Sequence, residues 1–114
     1  MRTLDQISLT PGDQAAIRTA AEALRDALPI ERVILFGSRA RGDASQQSDF
    51  DLLVLTSGPV DAALRRKAID LLYPLELQRD KWFGLMLVSN HEWQEGVYQA
   101  MPIRQEIDRD GIDL

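Results

Sequence analysis

Two short apolar runs, Val33 to Phe36 and Phe50 to Leu55, bracket a polar segment that opens Gly37-Ser38 and closes Ser48-Asp49-Phe50-Asp51. Apolar runs this short, bounded by turn residues, read as buried strands. If both join one small sheet, the chain must fold back through residues 37–48. The end of the first strand then lies beside the start of the second. Side chains alternate along a strand, so Asp49 and Asp51 point to one face while Phe50 and Leu52 point to the other. Two carboxylates roughly 7 Å apart on one face repel each other where water is scarce. A divalent cation beside them removes that cost and gives a hard-oxygen site. The fold-back also brings Ser38 and its backbone N–H opposite the carboxylates. Gly37 permits close backbone approach to a ligand, and N–H groups opening a helical turn attract an anion. Arg39 and Arg41 lie in the same turn, where each serves either a phosphate oxygen or a surface ion pair such as one with Asp43. Ser48 fits equally a ligand contact or a turn hydroxyl bonded to backbone. A phosphate-cradling turn facing a carboxylate pair is equipment for phosphoryl or nucleotidyl transfer.

The remaining pattern supplies the scaffold. Thr10-Pro11-Gly12-Asp13 is a helix start, and Ile17, Ala20, Ala21, Leu24 and Leu28 recur at helical spacing until Pro29. Asp61 to Leu72 predicts a second amphipathic helix, with Pro74 kinking or ending it. Phe83 to Val88 is a third strand. Ser89-Asn90-His91-Glu92 has the form of a capping box for a short helix carrying Trp93 and Val97, broken by Pro102. Ile103 and Ile107 suggest one more short helix, and Gly111 a turn into the last residues. The order is α-β-β-α-β-α: a mixed α/β fold of the α+β type, with helices packed on a small sheet. The expectation is a single domain over residues 1–114. Trp82 and Trp93 read as packing residues, His91 as an exposed residue of a helix first turn, and Arg65-Arg66-Lys67 as a solvated helix face.

Composition narrows the chemistry. The chain has 114 residues, no cysteine and one histidine, which removes disulfides, thiolate nucleophiles and Cys- or His-cluster metal sites. Any metal must sit on carboxylates, which favours Mg2+ or Mn2+. Thirteen basic against eighteen acidic residues give a net charge of −5, against non-specific nucleic-acid binding. No apolar run is long enough for a membrane span and no secretory signal opens the chain, so a cytoplasmic location is expected. A small acidic domain with several exposed apolar residues can also pair with a copy of itself.

The stretch "GSRARGDASQQSDFDLLV", Gly37 to Val54, resembles the signature of the DNA-polymerase-β-like nucleotidyltransferases: Gly-Ser, ten residues, then Asp-x-Asp. It is most similar to the minimal nucleotidyltransferases, which often open with Gly-Ser-x-Ala-Arg-Gly and reach Ser-Asp-x-Asp-Leu. The likeness is strong over residues 33 to 55 and otherwise rests on element order and length. At ordinary residue frequencies the four fixed positions coincide in about one chain per thousand. The resemblance implies a polymerase-β-palm-like nucleotidyltransferase fold, with Gly37 and Ser38 holding a nucleoside triphosphate and Asp49 and Asp51 binding two magnesium ions. It implies ATP as donor, and a HEPN-domain protein as partner in a toxin–antitoxin pair, with AMP moved onto a hydroxyl of that partner.

The family's third carboxylate, on a later strand, has no counterpart in Trp82 to Val88. Glu76 and Asp80, just upstream, are the available substitutes. That departure leaves a second reading open, an antitoxin that neutralises its partner by binding alone. A third, transfer to a small molecule of the aminoglycoside type, would need a pocket between two subunits.

Overall fold

The computed structural model describes residues 1–114. Thr10 caps the first long helix, its hydroxyl accepting from Asp13 N–H at 3.1 Å, and Pro11 takes the first helical position, where its missing N–H costs nothing. That helix, α1 (Pro11–Ala27), follows a short strand β1 (Arg2–Thr3) and leads into β2 (Ile30–Phe36). A single helical turn, α2 (Ser38–Arg41), precedes β3 (Phe50–Thr56), α3 (Ala62–Arg79) and β4 (Phe83–Ser89). Two short helices, α4 (Asn90–Glu95) and α5 (Pro102–Asp110), and a final strand β5 (Ile112–Asp113) complete the chain. Ser89 caps α4 as expected, its hydroxyl accepting from Glu92 N–H at 3.1 Å.

The sheet order is β1-β5-β2-β3-β4. β2 pairs antiparallel with both β3 and β5, and β3 pairs parallel with β4. Alternation along the strands divides the interior in two. On one face Val33, Leu35, Leu52 and Val54 pack with Ile17, Ala20 and Leu24 of α1 and with Ala68 and Leu72 of α3. On the other, Ile34, Leu53, Leu55 and Val88 pack with Trp93 and Ile107. Burying each such aliphatic side chain contributes about 1.5–3 kcal/mol. Asp49 and Asp51 share the parity of the second face, at the end that α4 and α5 leave open. There Phe36, Gly84 and Met86 are only half-buried.

The three strands and the mixed α/β class follow the sequence reading, with three differences. Pro74 does not end its helix: α3 continues to Arg79. Leu71, Leu72 and Leu75 all pack on the first core face, and that packing outweighs one lost backbone hydrogen bond at the exposed Pro74. The terminal residues pair as strands, Arg2 with Ile112 and Thr3 with Asp113. Two-residue strands carry no periodic signal. Val97 does not ride on the helix of Trp93: α4 stops at Glu95, where Gly96 leaves helical conformation, and Val97 begins a separate turn. No helix is long and apolar enough to cross a membrane.

Candidate active site

The register places Phe36, Asp51 and Gly84 side by side across β2, β3 and β4. The Asp51 carboxylate fills the space between two glycines. A Cβ added to Gly37 would collide with Asp51 Oδ2, and one added to Gly84 would lie 2.5 Å from Oδ1. Any other residue at either position would therefore displace the carboxylate. Gly37 also carries φ +75°, a left-handed conformation that turns the chain sharply from β2 into α2. Its carbonyl accepts from Ala40 and Arg41 N–H, closing the turn at 3.1 and 3.0 Å. Ser38, the first residue of that turn, thus stands next to Asp51.

Neither Asp49 nor Asp51 has a hydrogen-bond or ion-pair partner within the chain, while the arginines around them do. Burial raises the Asp51 carboxyl above its ordinary value, and the neighbouring Asp49 charge raises it further. Arg41 opposes and Glu106 reinforces the shift. A half-buried carboxylate and a second one beside it, with open coordination and no protein cation on either, form a donor set that fits Mg2+ or Mn2+. Asp49 and Asp51 are the residues that would hold it.

The two arginines have different settings. Arg39 spans the loop: Nε and Nη2 donate to the Ser48 carbonyl at 3.1 and 2.9 Å, and Nη2 donates also to the Gln46 carbonyl at 3.2 Å. Its guanidinium lies 4.3 Å from the Phe50 ring centre and pairs with Asp13 at 3.4 Å. Asp13, on α1, takes Lys81 as a second partner at 2.7 Å. Arg39 is thereby committed to holding residues 46–48 against the start of β3, which sets the position of Asp49. Arg41 is freer. It pairs with Glu106 of α5 at 2.9 Å and Asp43 at 3.3 Å, on the side from which its charge reaches Asp51. The Ser48 hydroxyl accepts from Ser45 N–H at 3.0 Å, the turn alternative of its two readings.

No group of three His, Cys, Asp or Glu side chains converges in this chain. Glu76 is engaged, accepting from Phe83 N–H at 3.0 Å at the entry to β4. Asp80 caps the end of α3 in a left-handed conformation, φ 51°. On β4 the positions facing Asp51 are Gly84 and Met86. Asp49 opens onto a cleft of ≈ 460 Å³ between residues 46–50 and 80–82, with Lys81 and the half-exposed Trp82 on its far wall. A second cavity of ≈ 490 Å³ lies at the opposite ends of β3 and β4, away from the aspartates. Sequence reading passed over Gly84, Asp13, Lys81 and Glu106. A glycine inside an otherwise apolar strand is a signal of close approach; the other three become visible only through the fold.

Residues 17–108 match the nucleotidyltransferase domain family. The chain belongs to that family. No curated protein matches it by sequence. Among solved structures, this nucleotidyltransferase domain is similar in fold to a chain from a toxin–antitoxin crystal structure with AMP-PNP. The TM-score is 0.59 at 22% identity, covering 84% of this chain and 69% of that one. It is similar also to a chain in the complex of a tri-AMPylated Shewanella oneidensis HEPN toxin with MNT antitoxin, at TM-score 0.55 and 22% identity, covering 88% and 69%. A third, a nucleotidyltransferase by description from Sulfolobus solfataricus, gives 0.53 at 19% identity, covering 93% and 87%. At these identities the likeness is one of fold.

Proposed function

We propose that this chain is a single-domain minimal nucleotidyltransferase that moves AMP from ATP to a hydroxyl of a HEPN-type partner protein, as the antitoxin of the pair. The observation that carries the reading is the partnerless Asp49–Asp51 pair, with Asp51 seated between Gly37 and Gly84 beside Ser38. The fold neighbours include complexes with AMP-PNP and with an AMPylated toxin, which agrees with ATP as donor and a protein as acceptor.

In this reading the backbone at Gly37 and Ser38 and the Ser38 hydroxyl bind the triphosphate, and Arg41 supplies positive charge from the α5 side. Asp49 and Asp51 would hold magnesium, which when bound would neutralise phosphate charge and favour in-line displacement. The acceptor oxygen attacks the α-phosphorus, the bond from that phosphorus to the bridging oxygen breaks, and pyrophosphate leaves with the electron pair. The acceptor's proton passes to solvent, since no third carboxylate stands at β4 to receive it. Asp49 and Asp51 fix where the metal would sit, and Arg39 fixes Asp49 by clamping its loop.

The test is incubation with ATP, Mg2+ and a genomically adjacent HEPN protein, followed by intact-mass measurement of both. Adenylyl addition to the partner, abolished in an Asp49→Asn/Asp51→Asn double variant, is the expected result. The absence of a third carboxylate supports one alternative, neutralisation by binding alone. That alternative wins if wild type adds no nucleotide and the double variant still neutralises the partner.

A further inference from the structure

β4 is the outermost strand of the sheet, with no strand beyond it. Side chains alternate along it, so Trp82, at its entry, shares a face with Gly84 and Met86, the face that carries Asp51. Gly84 stands directly beside Asp51 and contributes no side chain. Trp82 and Met86 flank it two residues away on either side, about 13 Å apart along the strand. Between them lies a notch over Gly84, with an indole on one side and a thioether on the other. It leads from the open edge of the sheet to the Asp51 carboxylate.

Both flanks are set by the fold. Parallel pairing of Phe50 with Phe83 puts Trp82 opposite Asp49, and the Trp82 carbonyl accepts from Phe50 N–H at 2.9 Å. The next N–H, that of Phe83, donates to Glu76 at 3.0 Å. The backbone under the indole is therefore fixed, while the ring itself stays half-exposed. Met86 packs at the rim of the second core face and is half-buried. Trp93, by contrast, is buried in that face. A large apolar ring left in solvent on a fixed backbone is placed to meet something else.

In-line displacement says which substrate group comes to the notch. On the nucleotidyl-transfer reading, the leaving pyrophosphate is held at Gly37 and Ser38, on the β2 side of Asp51. Attacking and leaving oxygens lie on opposite sides of the phosphorus, so the attacking oxygen arrives from the β4 side, over Gly84. We propose that Trp82 and Met86 are specificity-determining residues for the acceptor, selecting a hydroxyl carried on an aromatic ring that packs between them. Indole pairs with a second ring, and a thioether sits well at a ring edge. An aliphatic hydroxyl such as that of serine would leave both flanks uncovered. The acceptor oxygen bonds to the α-phosphorus from this side as the bond to pyrophosphate breaks toward Gly37, and its proton leaves to solvent through the open edge. This assignment rests on the nucleotidyl-transfer reading and adds to it the residues that choose the acceptor.

The chain's two tryptophans and three methionines give few indole and methyl signals in NMR spectra, assigned with Trp82→Phe and Met86→Leu. With Mg2+ and tripolyphosphate bound to the full chain, N-acetyltyrosinamide should shift the Trp82 indole and the Met86 methyl and leave Trp93 and Met101 in place. N-acetylserinamide should move none of them. Trp82→Ala should weaken the tyrosinamide affinity read at Met86 by about 10-fold and leave the affinity for Mg2+–tripolyphosphate unchanged. Trp82→Phe should retain most of the tyrosinamide affinity, and an unmoved Trp93 indole shows that each variant is folded. Equal responses to the two amides, or an unchanged affinity in Trp82→Ala, would overturn the assignment. So would an indole that moves with Mg2+–AMP-PNP but not with Mg2+–tripolyphosphate, which would seat the donor's base on Trp82. Tripolyphosphate binding that needs neither Mg2+ nor the aspartates, tested with Asp49→Asn/Asp51→Asn, would instead overturn the nucleotidyl-transfer reading, and this assignment with it.

Discussion

Asp51 concentrates the tension between folding and chemistry in one side chain. Its carboxyl titrates above the ordinary value of 3.8, first because burial disfavours the charge and then because Asp49 lies beside it. The folded chain therefore binds this proton more tightly than the unfolded chain does. The group favours folding below the ordinary carboxylate range and loses that contribution as pH rises through its raised value. Asp51→Asn should consequently be more stable than wild type in metal-free buffer at about pH 7, and the advantage should close as pH falls below about 4. Urea denaturation at the two pH values reads it directly. Equal stability at both would show that Asp51 carries no folding cost. Gly84 tests the same carboxylate from the neighbouring strand. An alanine Cβ there would lie 2.5 Å from Asp51 Oδ1, so Gly84→Ala should weaken Mg2+ binding by on the order of 10-fold, a shift of about 1.4 kcal/mol. Isothermal titration of wild type and variant measures it, and an unchanged affinity would mean that the carboxylate need not sit where the glycines leave room.

Between elements, the polar loop is held by a side chain whose partners are remote in sequence. Arg39 ties the Gln46 and Ser48 carbonyls to Asp13 of α1 and lies over Phe50. Removing it leaves Asp13 with Lys81 alone and releases carbonyls that accept from a charged donor. Arg39→Ala should cost on the order of 2–4 kcal/mol in thermal or chemical unfolding. Arg39→Lys should recover only part, because an ammonium cannot make the same forked contacts. Indifference of the fold to Arg39→Ala would remove the clamp. These contacts also explain what the sequence made legible. Gly37-Ser38 and Asp49-x-Asp51 could be read because strand alternation and one fold-back bring them together locally. The task of Arg39 could not, since Asp13 is 26 residues away and joins it only when α1 packs on the sheet. Gly84 needed the β3–β4 register, and α3 beyond Pro74 needed the core contacts of Leu75. Local punctuation was overruled where a tertiary contact was stronger.

For the whole molecule, the two core faces leave one end of the sheet uncovered, and the candidate site occupies that end. Helices α1 and α3 close the first face along its length, while α4 and α5 cover the second around Trp93 and Ile107 and stop short of Asp51. A ligand seated there would bridge β2, α2, β3 and β4, elements contributed from across the chain, so its binding energy should couple to global unfolding. A ligand that binds only the folded state stabilises it by RT ln(1 + [L]/Kd), about 2.7 kcal/mol at 100 times Kd. For a chain of this size that corresponds to roughly a 10 °C rise in Tm. ATP with Mg2+ should produce a shift of this order in differential scanning calorimetry, and ATP with EDTA only a small one. The Asp49→Asn/Asp51→Asn variant should lose the metal-dependent part while unfolding in a single transition of its own. An equal shift with and without Mg2+ would place the nucleotide on the protein without the aspartates, and no shift at all would mean that ATP does not bind the folded chain.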